Sequence, residues 1–200
     1  MVENYIFDFG MVLVRFDTEY MTKQYIKDAS VCALVKEVVF DRLYWDRLDD
    51  GTITDSEVRD GIKSRLPKML WDGALKVYDN WYFNLPFIDG MVDLVKQIKA
   101  SGKKLYVLSN ISKGFAENYK KVPVLEELFS LFDGLVFSAP LGIVKPNAEI
   151  FEYLLNKYKL DRTVTVFIDD SEKNINGARA VGIKGILFDG DVQKLKDKLF

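Results

Sequence analysis

An α/β fold in three layers, a parallel sheet between helices, is what this 200-residue chain predicts. Three observations carry the prediction. Short apolar runs recur along the chain and end in polar residues. Amphipathic helical patterns lie between them. One stretch, from about residue 16 to 85, breaks that rhythm with helical patterns and no convincing strand.

The runs are "YIFD" (5–8), "KLYVLSN" (104–110), "GLVFSA" (134–139), "TVTVFIDD" (163–170) and "KGILFDG" (184–190). Continuous β-branched and aromatic residues suit strands buried on both faces, as in a parallel sheet. In "NAEIFEYLLNKYKL", Phe151, Leu154, Leu155 and Tyr158 recur at helical spacing on one face, and Pro146 is placed in that helix's first turn. In "GMVDLVKQIKASG", Val92, Val95 and Ile98 form a similar stripe that Gly102 closes. "DVQKLKDKLF" reads as a solvated amphipathic helix. Alternation of strand and helix places residues 1–15 and 86–200 in one core. "DASVCALVKEVVF", "DSEVRDGIKSRL" and "GALKVYDNWYF" make residues 16–85 a helical insertion. No repeat or Gly/Ser-rich linker separates the two parts, so close packing is expected.

Composition narrows the chemistry. Hydrophobic residues make up 48% and charged residues 29%, the balance of a globular chain. A net charge of −2 gives no general attraction to nucleic acid or anionic membrane, so an anionic substrate must be held locally. Histidine is absent, which removes imidazole as base, nucleophile or metal ligand. Cys32 is the single cysteine, expected as a buried apolar thiol in a reducing compartment. Glu3 and Asp8 interrupt the first apolar run, no signal peptide or membrane span is expected, and the expected address is the cytoplasm.

Ligands of open parallel sheets bind beyond the carboxyl ends of the strands. Those ends carry Asp8, Ser109 with Asn110, and Asp169 with Asp170, while Lys145 precedes the helix after the third strand. Taken singly these are a strand-end turn, a helix cap, a solvated lysine and an acidic turn. Together they suit a phosphate monoester. Asp8 is a nucleophile for phosphorus, provided a cation cancels the repulsion between two anions. Magnesium, which takes hard oxygen ligands, suits Asp8, the backbone carbonyl of Gly10 and Asp170. Ser109 and the amide of Asn110 suit the phosphoryl oxygens, and Lys145 adds a fixed positive charge.

"FDFGMVL", "LSN", "VKP" and "FIDDSEKNINGARAVG" resemble, in order, the four motifs of the haloacid dehalogenase-like hydrolase superfamily. The resemblance implies a Rossmann-like core under a mobile helical cap of the superfamily's type 1, and magnesium-dependent phosphatase activity through a covalent aspartyl intermediate. By position it implies Asp8 as nucleophile, Ser109 as phosphate-binding hydroxyl, Lys145 as the lysine of motif three and Asp170 as metal-binding acid. Asp169 and Asn174 match positions that support the metal shell.

One position departs from the pattern. Most phosphatases of this superfamily carry a second aspartate, the general acid, where this chain has Gly10. Losing it is expected to cost about 10²- to 10⁴-fold on poor leaving groups. Asp17 is a candidate substitute, or a cap for the first helix of the insertion. The "DxG" pattern resembles a branch that includes phosphatases of sugar phosphates such as glucose 1-phosphate. Two alternatives stand beside the phosphatase: a 2-haloacid dehalogenase using Asp8 without metal, against which the acidic pair 169–170 speaks, and a silent binder of phosphometabolites, which Gly10 would permit. Among Tyr44, Trp45, Trp71, Tyr78, Trp81, Tyr82 and Phe83, most are expected to fill the core of the insertion and one or two to line the mouth of the site.

Overall fold

The computed structural model describes residues 2–200. Its sheet has five strands, β1 (Asn4–Phe7), β2 (Lys104–Ser109), β3 (Gly134–Phe137), β4 (Thr165–Asp169) and β5 (Lys184–Leu187). They lie in the order β3-β2-β1-β4-β5, and every pairing is parallel. From the central β1 the chain steps outward through β2 and β3, then returns to the opposite side of β1 as β4. That reversal opens a crevice at the carboxyl ends of β1 and β4. Phe7 pairs with Ile168, so Asp8 leaves the sheet level with Asp169.

Helices α1 (Thr18–Lys23), α2 (Ala29–Val39), α3 (Arg42–Asp49), α4 (Asp55–Arg65) and α5 (Trp71–Asn80) follow β1. Local chemistry starts four of them: the side chains of Asp17, Asp28, Asp41 and Thr54 accept from backbone N–H groups in the first turns, and Thr54 with Glu57 forms a capping box. Val35, Val39, Val58, Ile62, Ala74 and Val77 give these helices a hydrophobic cluster of their own. Buried Cys32 lies in α2, as its sequence setting implies.

The remaining helices are α6 (Met91–Ala100), α7 (Lys113–Asn118), α8 (Pro123–Ser130), α9 (Ala148–Tyr158), α10 (Glu172–Ala180) and α11 (Val192–Leu199). Side chains alternate across a strand, so Tyr5 and Phe7 join Leu94, Ile98, Leu125 and Leu195 on one face. Ile6 and Phe167 join Phe151, Leu154 and Ile175 on the other. The result is the expected three-layer α/β architecture.

Gly102, at φ 78°, closes α6 where the sequence placed it. Pro146 is a correction. It stands ahead of α9, which starts at Ala148 with Asn147 as its N-cap residue, and the Lys145–Pro146 peptide is cis. The strand runs are also shorter than their apolar stretches. β3 stops at Phe137 because Ser138 and Ala139 turn to meet the insertion. No helix among the described residues is long and apolar enough to cross a membrane.

Candidate active site

Asp8 follows the last residue of β1, its backbone N–H donating to the Ile168 carbonyl at 2.9 Å. The Phe9 N–H donates to its Oδ1 at 2.7 Å, which fixes the carboxylate facing the crevice. Lys145 Nζ lies 2.8 Å from Asp8 Oδ1 and 2.7 Å from Asp169 Oδ2, and the lysine is only 4% exposed. A buried ammonium of this kind persists only with partners, and here it has two.

The supporting contacts come from distant segments. Asn174 Nδ2 donates to both Asp169 oxygens, at 3.0 and 3.1 Å, and the Ser171 N–H donates to Oδ1 at 2.8 Å. Asp169 is therefore saturated, while Asp170 next to it is exposed. The Asn110 side chain brackets the lysine's backbone: Nδ2 donates to the Lys145 carbonyl at 3.0 Å, and the Lys145 N–H donates to Oδ1 at 2.8 Å. Asn110 thus positions Lys145, a role that its place in the sequence did not reveal. Ser109, buried at the end of β2, makes only a long 3.4 Å contact to the Asn110 carbonyl, which leaves its hydroxyl available to a ligand.

Burial pushes the Asp8 carboxyl up to about 7; Lys145 opposes that rise and Asp169 adds to it. Burial works against the Lys145 ammonium as well, but Asp8 and Asp169 hold it above the usual lysine range. Asp170 is also raised, by burial first and Asp169 second. Oxygens of Asp8, Asp169 and Asp170 all lie within 4.8 Å of one another. Three carboxylates around one lysine leave two negative charges uncompensated, and their donor atoms are hard oxygens. That set fits a divalent cation of the magnesium class.

Above these residues is a cavity of about 200 Å³, lined by Phe9, Gly10, Ser109 and Asn110 below and by Phe16, Phe40, Trp45 and Trp81 above. The upper rings form one cluster: Trp45 and Trp81 cross at 5.1 Å between centroids, and Phe40 stacks on Trp45 at 5.3 Å. Of the aromatics singled out in the sequence, Trp45 and Trp81 line the mouth, whereas Tyr78 is buried among the helices of the insertion. Phe16, Phe40, Arg42 and Asp49 also line the cavity, and sequence reasoning missed all four. Asp17 is not available as an acid there. It caps α1, accepting from the Tyr20 N–H at 2.9 Å, and does not line the cavity.

An enzyme with a parallel sheet and a carboxylate-lysine centre at its switch point is the class these features define. The chain belongs to the haloacid dehalogenase-like hydrolases, whose family pattern matches residues 42–182. The matched stretch includes Ser109, Lys145 and Asp170, while Asp8 lies ahead of it. D-ribitol-5-phosphate phosphatase from Bacteroides thetaiotaomicron is 25% identical over 195 residues, 92% of this chain and 90% of that protein. The sesquiterpene phosphatase astK from Aspergillus oryzae is 31% identical over 96 residues, 48% of this chain. The chain spans less than half the length of the first curated relatives it matches, 47% of that phosphatase and 34% of the drimenol cyclase drtB from Aspergillus calidoustus. Among solved structures, a HAD family enzyme from Bacteroides thetaiotaomicron in a magnesium complex superimposes with a TM-score of 0.75 at 25% identity, covering 98% of each chain. Its wild-type complex with magnesium and inorganic phosphate gives 0.73 at 23% identity, covering 98% of this chain and 99% of that one.

Proposed function

We propose that this hydrolase is a magnesium-dependent phosphatase of a small phosphorylated metabolite, acting through an aspartyl phosphate on Asp8. The observation that carries the reading is Lys145 Nζ held between Asp8 and Asp169 at 2.8 and 2.7 Å, with Asp170 completing an acidic cluster. An Asp8 oxygen attacks phosphorus as the bond to the substrate alcohol breaks, and water then hydrolyses the acyl phosphate. Lys145 keeps Asp8 anionic and oriented. Ser109 and the Asn110 amide receive the phosphoryl oxygens. Asp8, the Gly10 carbonyl and Asp170 would hold magnesium, with Asp169 and Asn174 supporting them. When bound, the ion supplies the positive charge that lets an anionic nucleophile meet an anionic ester.

The helical insertion, residues 16–85, is proposed to act as a type 1 cap that closes the cavity and selects the substrate. A sugar or sugar-alcohol phosphate is the proposed class. The near full-length likeness to a ribitol phosphate phosphatase and the aromatic wall, which suits the apolar face of a polyol, support it. The "DxG" motif supports the glucose 1-phosphate branch in particular. A dehalogenase has no use for the acidic cluster, and a silent binder has no use for a buried lysine bridging two carboxylates. We place the enzyme in the cytoplasm, where a lone buried thiol stays reduced.

Phosphate release from a panel of sugar, polyol and aryl phosphates, with magnesium and with EDTA, tests the reading. Turnover that requires magnesium is expected. Asp8→Asn should lower it by about 10⁴-fold or more, since removing a covalent nucleophile removes the pathway. No turnover on any ester of the panel would overturn the proposal.

A further inference from the structure

An alkyl alcohol is a poor leaving group unless it receives a proton as the ester bond breaks, and Gly10 has none to give. Neither packing nor backbone geometry demands glycine at that position. No atom lies within 4 Å of where its Cβ would be, and its φ is not positive. An acid was affordable here and is absent, so the proton has to come from elsewhere in the cavity.

Asp49 is the one carboxylic acid among the residues that line that cavity with Gly10, Ser109 and Asn110. It ends α3, and its backbone is tied to the sheet: its carbonyl accepts from the Ser138 hydroxyl at 2.5 Å, and Ser138 Oγ in turn accepts from the Ile111 N–H at 2.9 Å. The end of α3 is thereby fixed against the tips of β2 and β3. The carboxyl group itself has no hydrogen-bond partner among the described residues. Neighbouring acids are committed: Asp50 accepts from the Thr52 N–H at 2.8 Å, and Asp17 caps α1.

We propose that Asp49 is the catalytic acid and base of this enzyme, delivered from the insertion in place of the residue lost at position 10. The assignment rests on the phosphatase reading above. As Asp8 Oδ bonds to phosphorus and the ester P–O bond breaks, the Asp49 carboxyl proton passes to the departing oxygen. This yields free alcohol, aspartyl phosphate and the Asp49 carboxylate. The carboxylate then takes a proton from the water whose oxygen attacks phosphorus, which releases phosphate and the Asp8 carboxylate and restores the acid.

The electrostatic setting suits the task. Burial pushes Asp49 up to about 7; Asp46 on its own helix and Asp8 across the crevice add to the rise, and Arg42 and Lys145 oppose it. An acid-base group works best with a pKa near the working pH. The protonated form is present below about 7 and lost above it, so kcat/KM for an alkyl ester should fall above neutrality.

Asp49→Asn keeps the backbone carbonyl that Ser138 holds, so the fold is retained; circular dichroism and gel filtration verify it. With a sugar or polyol phosphate, kcat/KM should fall by about 10²- to 10⁴-fold. With p-nitrophenyl phosphate, whose leaving group needs no proton, it should fall by less than about tenfold, and p-nitrophenolate should appear as a burst because water attack on the phosphoenzyme has lost its base. The fall with alkyl esters above neutral pH should vanish in the variant. Adding Gly10→Asp to Asp49→Asn should recover alkyl turnover. Equal losses on both esters, or no loss, would overturn the role of Asp49 and leave the phosphatase reading standing. If the unaltered protein releases phosphate from neither ester with magnesium, both readings fall.

Discussion

The sheet side of the cavity and the insertion side are built on opposite principles. Below, the buried charges are over-determined: Lys145 contacts two carboxylates, Asp169 accepts four hydrogen bonds from three donor groups, and Asn110 clamps the lysine's backbone from both sides. Above, four aromatic rings make a wall, Arg42 is exposed, and the Asp49 carboxyl has no fixed partner. The lower side is a rigid electrostatic device held by contacts within the protein. The upper side offers apolar area and two adaptable charges, which under the proposed function would turn one chemistry to a particular alcohol. Preorganised charge below and a shaped surface above is the division of labour expected where stabilisation of the transition state and choice of substrate are separate tasks.

The contrast can be broken most severely from below. Lys145→Met leaves Asp8 and Asp169 buried and facing each other without a cation. Removing one partner of a buried ion pair costs about 3–5 kcal/mol, so urea denaturation of the metal-free protein should show a loss of that size. A loss under about 1 kcal/mol would mean that water reaches the network and that the lower side is not sealed.

Magnesium should sharpen the contrast, since it adds a further constraint to the side that is already rigid. A ligand at ten times its dissociation constant stabilises by about 1.4 kcal/mol. The melting temperature should rise accordingly, and Asp170→Asn should abolish the rise. A full shift in that variant would remove Asp170 from the proposed metal site. The smallest effect should come from Asp17→Ala, which loses an N-cap at a cost of about 1 kcal/mol. Phosphatase turnover should be unchanged, because Asp17 faces α1 and not the cavity. A large loss of turnover would return Asp17 to the list of candidate acids.

The lower side was legible in the sequence because its residues sit where strands stop. An apolar run that ends in Asp8, Ser109 or Asp169 announces a side chain at the sheet's carboxyl edge, and parallel pairing brings those edges together. Lys145 was legible for the same reason, as the charge before the next helix. The upper side was not. Asp46, Asp49 and Asp50 look alike on a polar helix end, and only the packing of α3 against Ser138 separates the one that lines the cavity from the two that do not. Phe16 and Phe40 are equally indistinct from ordinary core residues. Whether an aromatic in a helical insertion faces its own cluster or the site depends on a contact between units, which periodicity within one helix does not encode. Asn110 shows a third limit. Its position was visible, but its clamp on Lys145 joins residues that only the folded sheet brings together.

Gly51 governs how tightly the two sides meet. At φ +75° it follows α3, and a β-carbon there would fall 2.7 Å from the Ala139 carbonyl oxygen. The bare backbone lets the insertion rest flush on the tip of β3. A single methyl would act as a doorstop, lifting the tryptophan wall and withdrawing Asp49 while leaving every charge of the lower network intact. The seam between insertion and sheet would then be spread by one carbon atom.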